Sequence, residues 1–425
     1  MSRRLRPLIH GSAALLVAVS LLDTLRHGLA ERPVALAFGA LIALGEFTRW
    51  TGAPAREAAP LGAAGALAYA LLGTHAGQPS HHGALQVVAV VFAAALLGGA
   101  RHATRARDHL ARRVLTVGFA ACCFQPLYSR GGFDDFGGAA YALLIVALLT
   151  LTSLCDAVLS AALAHSRTGW PFAPLLRDEL RGLLGIGSAV CATGAVMALA
   201  VAVVGLWALP VFCLPLLLTQ LSFRRYAAVR ATYRQTIASL ARATEVAGYT
   251  PAGHARRVAA LSVAVGRDLG LSGDELTVLE YAALMHDIGQ LSLLDPVPAG
   301  ATAGLPAAEQ RRIALLGGAV VRQTGVDGSV AVIVERQADP CPEQPPAARI
   351  VRAVNAYEEK ARGAGPGGSL KALEELRLGT ADEYAPEVVE ALARVLLNDR
   401  GGAQRLGQGA VKGLSDLGSG GVTHG

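Results

Sequence analysis

The stretch YTPAGHARRVAALSVAVGRDLGLSGDELTVLEYAALMHDIGQL, residues 249–291, decides how the rest of the chain is read. Ser272 followed three positions later by Glu275 is the pattern of a capping box, in which each side chain satisfies the other's backbone N–H. It predicts a helix opening at Gly273, with Gly289 placed to end it. His286 and Asp287 then fall in the last turn of an apolar helix. An imidazole beside a carboxylate there suits a divalent metal, since the carboxylate can bridge two ions and the imidazole supplies a nitrogen. His254, on the preceding helix with Arg257 one turn later, reaches the same point if the two helices pack antiparallel. A histidine at a helix end is also an ordinary partner of the helix dipole, so the weight rests on the whole arrangement.

Toward the N-terminus the character changes. The 425 residues are 52% hydrophobic and only 16% charged, too apolar for an ordinary soluble enzyme and far from disorder. Apolar runs fall at about 8–25, 33–48, 58–73, 84–100, 110–128, 138–160, 183–204 and 206–222, each near the roughly 17 to 25 residues that cross a bilayer. Eight spans are expected. Because only Gly205 to Trp207 and Pro210 separate the last two runs, seven spans with a re-entrant segment is the alternative.

Charge gives the orientation. Residues 1–222 hold 16 Arg, no Lys and 10 acids, whereas the remaining 203 hold 22 basic and 22 acidic residues, so the net charge of +6 belongs to the first part. With eight spans and the N-terminus inside, 13 Arg lie on inner segments and only Arg26, Arg32 and Arg130 outside, as the positive-inside rule requires. The N- and C-termini are then both cytoplasmic. No basic stripe with interleaved aromatics occurs, which excludes nucleic acid as a partner. The six Cys lie in apolar runs or stand alone and read as reduced thiols. Asp156, in the sixth run, and His75, His81 and His82, in an outer loop expected to be solvated, are the other ionisable groups to follow.

After Ser222 the sequence turns polar. Tyr226, Val229, Tyr233, Ile237, Leu240 and Thr244 recur at spacings of three and four, the stripe of a connecting helix over 223–247. That stripe serves either a homodimer seam or packing against the next domain. Helical patterns broken by Gly and Pro continue from 248 to 400 without alternating strand runs, so the fold class is all-α. The expected domains are a polytopic transmembrane module at 1–222, the connecting helix, a helical domain at 248–400 and a disordered Gly-rich tail at 401–425.

Taken together, G-H-A-R-R-V, then D-L-G-L-S-x-x-E-L, then A-A-L-M-H-D-I-G resembles the HD superfamily of metal-dependent phosphohydrolases, and in detail its HD-GYP branch. The likeness continues through T-I-A-S-L-A-R-A-T (236–244), A-R-I-V-R-A-V-N-A-Y (348–357), Ala372 to Leu376 and Tyr384 to Val389, about 160 residues in all. It implies a cytoplasmic all-helical domain, a two- or three-metal site holding Mn, Fe or Mg, hydrolysis of cyclic di-GMP, and a bacterial inner-membrane protein bound to the lipid bilayer. By the same likeness His254, His286 and Asp287 are metal ligands, with His286 and Asp287 at the catalytic centre. Glu335 and Asn355 match further ligand positions, and Arg257 and Gln290 substrate-facing ones.

The chain also departs from that pattern. Gln290 stands where the branch has Lys, Asn355 where it has Asp, and Ala338-Asp339-Pro340 where it has Gly-Tyr-Pro. Between Asp287 and Thr423 there is no histidine; the expected ones fall in the aliphatic Ile313–Gly318 stretch and at Ile333 and Val334. Two ions with a shared bridge need about seven or eight protein donors, and three or four remain. Two readings stay open, with one metal ion or none. In one, the domain relays a signal, binding a cyclic dinucleotide or other nucleotide without hydrolysing it; in the other, a single ion supports a reduced phosphohydrolase.

Overall fold

The computed structural model describes residues 2–49, 59–99, 106–131, 137–295, 297, 300–363, 367–380 and 382–397. The tail expected at 401–425, and Arg56, Arg101 and Arg105 of the charge count, lie outside the described residues. The fold is all-α. The chain divides into two compact units, Met1–Ala231 and Thr232–Gly425.

The first unit contains α1 (Ser2–His27), α2 (Arg32–Phe47), α3 (Pro60–Ala70), α4 (Ala84–Gly99), α5 (Ala106–Ser129), α6 (Gly138–Thr168), α7 (Phe172–Gly182), α8 (Ser188–Val204) and the start of α9 (Ala208–Val246). Every residue of α3 is buried. Its small residues allow neighbours to come close: a Cβ added to Gly45 of α2 would stand 2.7 Å from the Gly62 Cα, the close approach that small residues give helix pairs in lipid. Elsewhere the apolar side chains face outward. Leu143 of α6, Val203 of α8 and Val211 and Leu214 of α9 are 64% to 80% exposed, the reverse of a water-soluble surface.

Three helical stretches are long and apolar enough to cross a membrane: Leu5–His27, Gly138–Thr168 and Ser188–Val246. By contrast α2 and α4 have 16 residues each and α3 only 11, α3 and α4 being shorter than the runs at 58–73 and 84–100 that predicted them. The last apolar run and the connecting helix form one continuous element, α9, with Pro215 inside it. A kinked turn at Leu183–Gly187 joins α7 to α8.

Ionisable groups in this unit are compensated locally. Asp156 accepts from Thr116 Oγ1 at 3.1 Å and lies 3.5 Å from Arg112 Nε. Glu46, only 1% exposed, meets His109 at 3.0 Å and Arg113 at 3.2 Å; its burial near the end of α2 was not foreseen. The three loop histidines do not share one solvated environment. His75 lies in a two-strand hairpin, β1 (Thr74–His75) with β2 (Gln78–Pro79). His82 is buried, stacked on Tyr69 at 4.7 Å, with Nδ1 3.8 Å from Glu31.

The second unit packs α10 (His254–Asp268), α11 (Gly273–Met285), α12 (Ala307–Gln323), α13 (Gly328–Arg336), α14 (Pro346–Gly363), α15 (Gly368–Leu378) and a helix over 386–397 around a single apolar core. On α9, Ile237, Ala241 and Thr244 are buried and Tyr233 meets Tyr281 edge-on, whereas Tyr226 and Val229 remain exposed. The lower part of the stripe therefore packs within the unit. The loop around Pro340–Pro346 is a tied-down turn: Cys341 is buried and Gln344 Nε2 donates to the Gln337 and Asp339 carbonyls.

Candidate metal centre

The capping box forms as the sequence dictates: Ser272 accepts from the Glu275 N–H, and Glu275 accepts from the Ser272 N–H at 2.7 Å. The far end of α11 differs from expectation. The helix closes at Met285, His286 is its C-cap, and Asp287 opens a 3-10 turn, Ile288–Ser292. Gly289 lies inside that turn. It is glycine because α12 presses on it: a Cβ there would collide with the Ile313 carbonyl and stand 2.7 Å from Gly317 N. The two metal-type side chains thus sit on a turn clamped from below rather than on the helix.

His254 is the first residue of α10, preceded by Gly253 in the left-handed region at φ +74°. That glycine turns the chain so that the imidazole enters the unit's interior, where it is 1% exposed. His254 Nε2 lies 3.4 Å and His286 Nε2 3.1 Å from Asp287 Oδ2, and one donor atom from each of the three side chains lies within 4.8 Å of the others. His286 Nδ1 donates to the Ala283 carbonyl at 2.8 Å. A carbonyl can only accept, so the proton is on Nδ1 and Nε2 turns its lone pair toward Asp287 when the ring is neutral.

Burial is the largest influence on both ionisable partners and works against charge. It is outweighed by their mutual attraction: the Asp287 carboxylate, with the Ala283 carbonyl, pushes His286 up to about 9, and His286 with His254 holds Asp287 far below the usual carboxylate range. Several buried atoms here have no aligned hydrogen-bond partner: both ring nitrogens of His254, His286 Nε2, Asp287 Oδ2 and Asn355 Oδ1. Each such atom costs about 1 to 3 kcal/mol when left unsatisfied. A cation bound among them would satisfy nitrogen and oxygen lone pairs together, and two donors about 2.1 Å from one ion stand about 3 to 4 Å apart. The residues fit one ion.

They do not fit two. Ile313 and Ala314 line the adjoining cavity, Ile333 and Val334 are buried in the core, and Val334 Cγ1 would stand 3.1 Å from a Cβ on Gly317. Aliphatic side chains and close backbone packing occupy the side from which further ligands would come. The remaining expected residues divide. Asn355 lines the cavity with His286 and Asp287. Glu335 is turned toward Gly318 and pairs with Arg322. Arg257 is at the surface, bonded to Glu358 and to the Ala252 carbonyl at 3.1 Å. Gln290 is fully buried, and its amide has no hydrogen-bond partner among the described residues.

The structure adds residues that the sequence reading passed over. Glu359, one turn beyond Asn355, accepts from Asn355 Nδ2 at 2.8 Å, from Thr302 Oγ1 at 3.3 Å and from the Ala303 N–H at 3.0 Å. Burial, and next to it the Asp287 charge, raises its pKa. Asn355 Nδ2 donates to Glu359 and also to Thr302 Oγ1 at 3.4 Å, while its Oδ1, the side chain's acceptor, has no partner among the described residues. Arg352, Gln310, Gln337 and Tyr384 complete the polar lining of the cavity. The signal was available: Arg352, Asn355 and Glu359 are spaced three and four apart and share one face of α14.

Residues 252–359 match the family model of the HD domain. The match covers about a quarter of the chain and includes His254, His286, Asp287, Asn355 and Glu359. It supports a domain of the HD phosphohydrolase type, a class typically dependent on divalent metal. Comparison with curated proteins and with solved structures gave no match.

Proposed function

We propose that the chain is a membrane-anchored signalling protein of a bacterial inner membrane, with both termini cytoplasmic. Its second unit is then a degenerate HD-GYP-like domain that binds one metal ion and a nucleotide, and relays a signal without turnover. The observation that carries this reading is the shortage of donors. His254, His286 and Asp287 bring three donor atoms within 4.8 Å of one another, Asn355 beside them is neutral and ties up the nearby Glu359 carboxylate, and the aliphatic Ile313 and Ala314 line the cavity next to them. The continuous α9 is the element through which an event in the membrane unit would reach the second unit, and a homodimer through its exposed Tyr226 and Val229 face belongs to the same proposal.

The unsatisfied donors favour one second reading, a single-metal phosphohydrolase. A bound ion supplies Lewis acidity and lowers the pKa of water. In that case His254, His286, Asp287 and Asn355 hold the ion and the Ala283 carbonyl fixes the His286 tautomer. One experiment separates the two. The full chain is purified in detergent with added Mn or Fe, its metal content is measured, and hydrolysis of cyclic di-GMP and of an activated phosphodiester is followed. At most one ion per chain and no turnover are expected. Turnover abolished by His286→Ala or Asp287→Ala would establish the enzyme instead.

A further inference from the structure

In the membrane unit, His82 and Glu31 bring the α3–α4 connection against the α1–α2 connection. The His82 side chain is fully buried and that of Glu31 is 21% exposed. Tyr69 stacks on the imidazole, and the Tyr69 carbonyl lies 3.3 Å from His82 Nε2. A carbonyl can only accept, so the proton is on Nε2. Gln125 Nε2 stands 3.4 Å from the same nitrogen but has both hydrogens committed to the Ala70 and Leu72 carbonyls, at 3.0 and 3.1 Å. The lone pair of the neutral ring is therefore on Nδ1. Burial, the largest influence, holds this imidazole below the usual histidine range, which keeps that lone pair available at neutral pH.

Glu31 is oriented from the other side. Its Oε1 accepts from the His81 N–H at 2.7 Å, whereas Oε2 has no hydrogen-bond partner, and neither has His82 Nδ1. These two atoms face each other at 3.8 Å, beyond hydrogen-bond length. The Glu31 backbone is held at φ +49°, a left-handed conformation that L side chains rarely adopt. Gln86 clamps the residue before it, accepting from the Ala30 N–H at 2.9 Å and donating to the Ala30 carbonyl at 2.8 Å. The same amide donates to the Tyr69 hydroxyl at 3.0 Å, so one glutamine fixes both the loop that carries Glu31 and the ring beneath His82. An imidazole whose far nitrogen donates to a carbonyl, beside a carboxylate with its second oxygen hydrogen-bonded, is the way proteins orient metal ligands. Two donors about 2.1 Å from one ion stand about 3 to 4 Å apart, a range that includes the observed separation.

We propose that Glu31 Oε2 and His82 Nδ1 form a metal site in the membrane unit for one zinc-like divalent ion. The exposed imidazole of His81, whose backbone already bonds Glu31, turns in as the third ligand, and water completes the shell. Imidazole with a single carboxylate suits zinc better than magnesium or calcium. Affinity also rises from manganese and iron to zinc, so a site with so few protein donors retains zinc alone and leaves the ion count with those other metals unchanged. On the proposed orientation the site opens outward, but the binding of the ion does not rest on that orientation.

The test is calorimetric titration of the detergent-solubilised full chain with zinc, and the same titration of variants. Glu31→Gln is nearly isosteric and still accepts from the His81 N–H. It is expected to weaken one zinc equivalent by roughly 100-fold or more, since loss of a merely supporting partner already costs about 10- to 100-fold. His81→Ala, a substitution at the surface, should weaken the same equivalent roughly 10-fold, which keeps the test open if Glu31→Gln folds poorly. The melting temperature without metal and the manganese content should match the parent in both variants. Zinc binding equal in Glu31→Gln, His81→Ala and the parent overturns the inference. So does loss of all zinc in Asp287→Asn, which would assign the metal to the second unit alone. Zinc that depends on Glu31 and survives Asp287→Asn supports the site, whether or not the second unit also binds an ion.

Discussion

At the residue scale the second unit contains two kinds of polar burial, and they respond differently to substitution. His254, His286 and Asp287 oppose charge with charge, so removal of any one strands the others in a low-dielectric interior, where a broken pair costs several kcal/mol. Gln290 is the other kind. It is fully buried, its amide is unpartnered, and no charge faces it with a matching bond. Replacement of such a group by an apolar one of similar shape removes a desolvation penalty. Gln290→Met is therefore expected to stabilise the protein by about 1 kcal/mol, seen as a raised melting temperature of the second unit's transition. A drop would mean that the amide serves a ligand or a buried water. His286, Asp287 and the glycine of the turn, Gly289, were legible one by one in the sequence. The state of the Gln290 amide was not, because satisfaction of a hydrogen bond depends on groups brought near from other helices.

At the scale of elements, the 3-10 turn and α12 form one packed pair. Gly289 and Gly317 meet backbone to backbone, and a methyl group added at that contact has no rotamer through which to escape. Gly289→Ala is expected to cost about 3 kcal/mol or more, and because the turn carries Asp287, metal retention should fall in parallel with stability. A parallel substitution at Gly304, where an added Cβ meets nothing within 4 Å, should change neither. Denaturant titration of both variants checks this. The sequence marked Gly289 as a helix terminator; the structure assigns it to close packing. Both roles demand glycine, and a linear pattern cannot distinguish a backbone that turns from one that is merely approached.

At the scale of the whole molecule, the proposed arrangement in the bilayer makes a prediction of its own. With eight crossings and the N-terminus inside, the β1–β2 hairpin faces outward and the second unit inward. In a background lacking the six cysteines, Gln78→Cys should react with an impermeant maleimide in intact cells, and Glu374→Cys on α15 only after permeabilisation. Labelling of both from outside would refute the orientation. The apolar runs, the arginine asymmetry and the HD-type motif could be read from the sequence because each is a local or summed property: hydropathy over a stretch of chain, the distribution of one charged residue along it, and side chains set at fixed intervals along a helix. What the tertiary structure alone decided is the capacity of the site. Only the folding of α12, α13 and α14 against the turn shows that Ile313 and Ala314 line the cavity beside His286 and Asp287, that Gly317 packs on Gly289, that Glu335 pairs with Arg322, and that Arg352 lines the same cavity while Glu359 is buried beside Asn355. Donor count at a point is a sum over distant parts of a chain, and that sum exists only after the chain has folded.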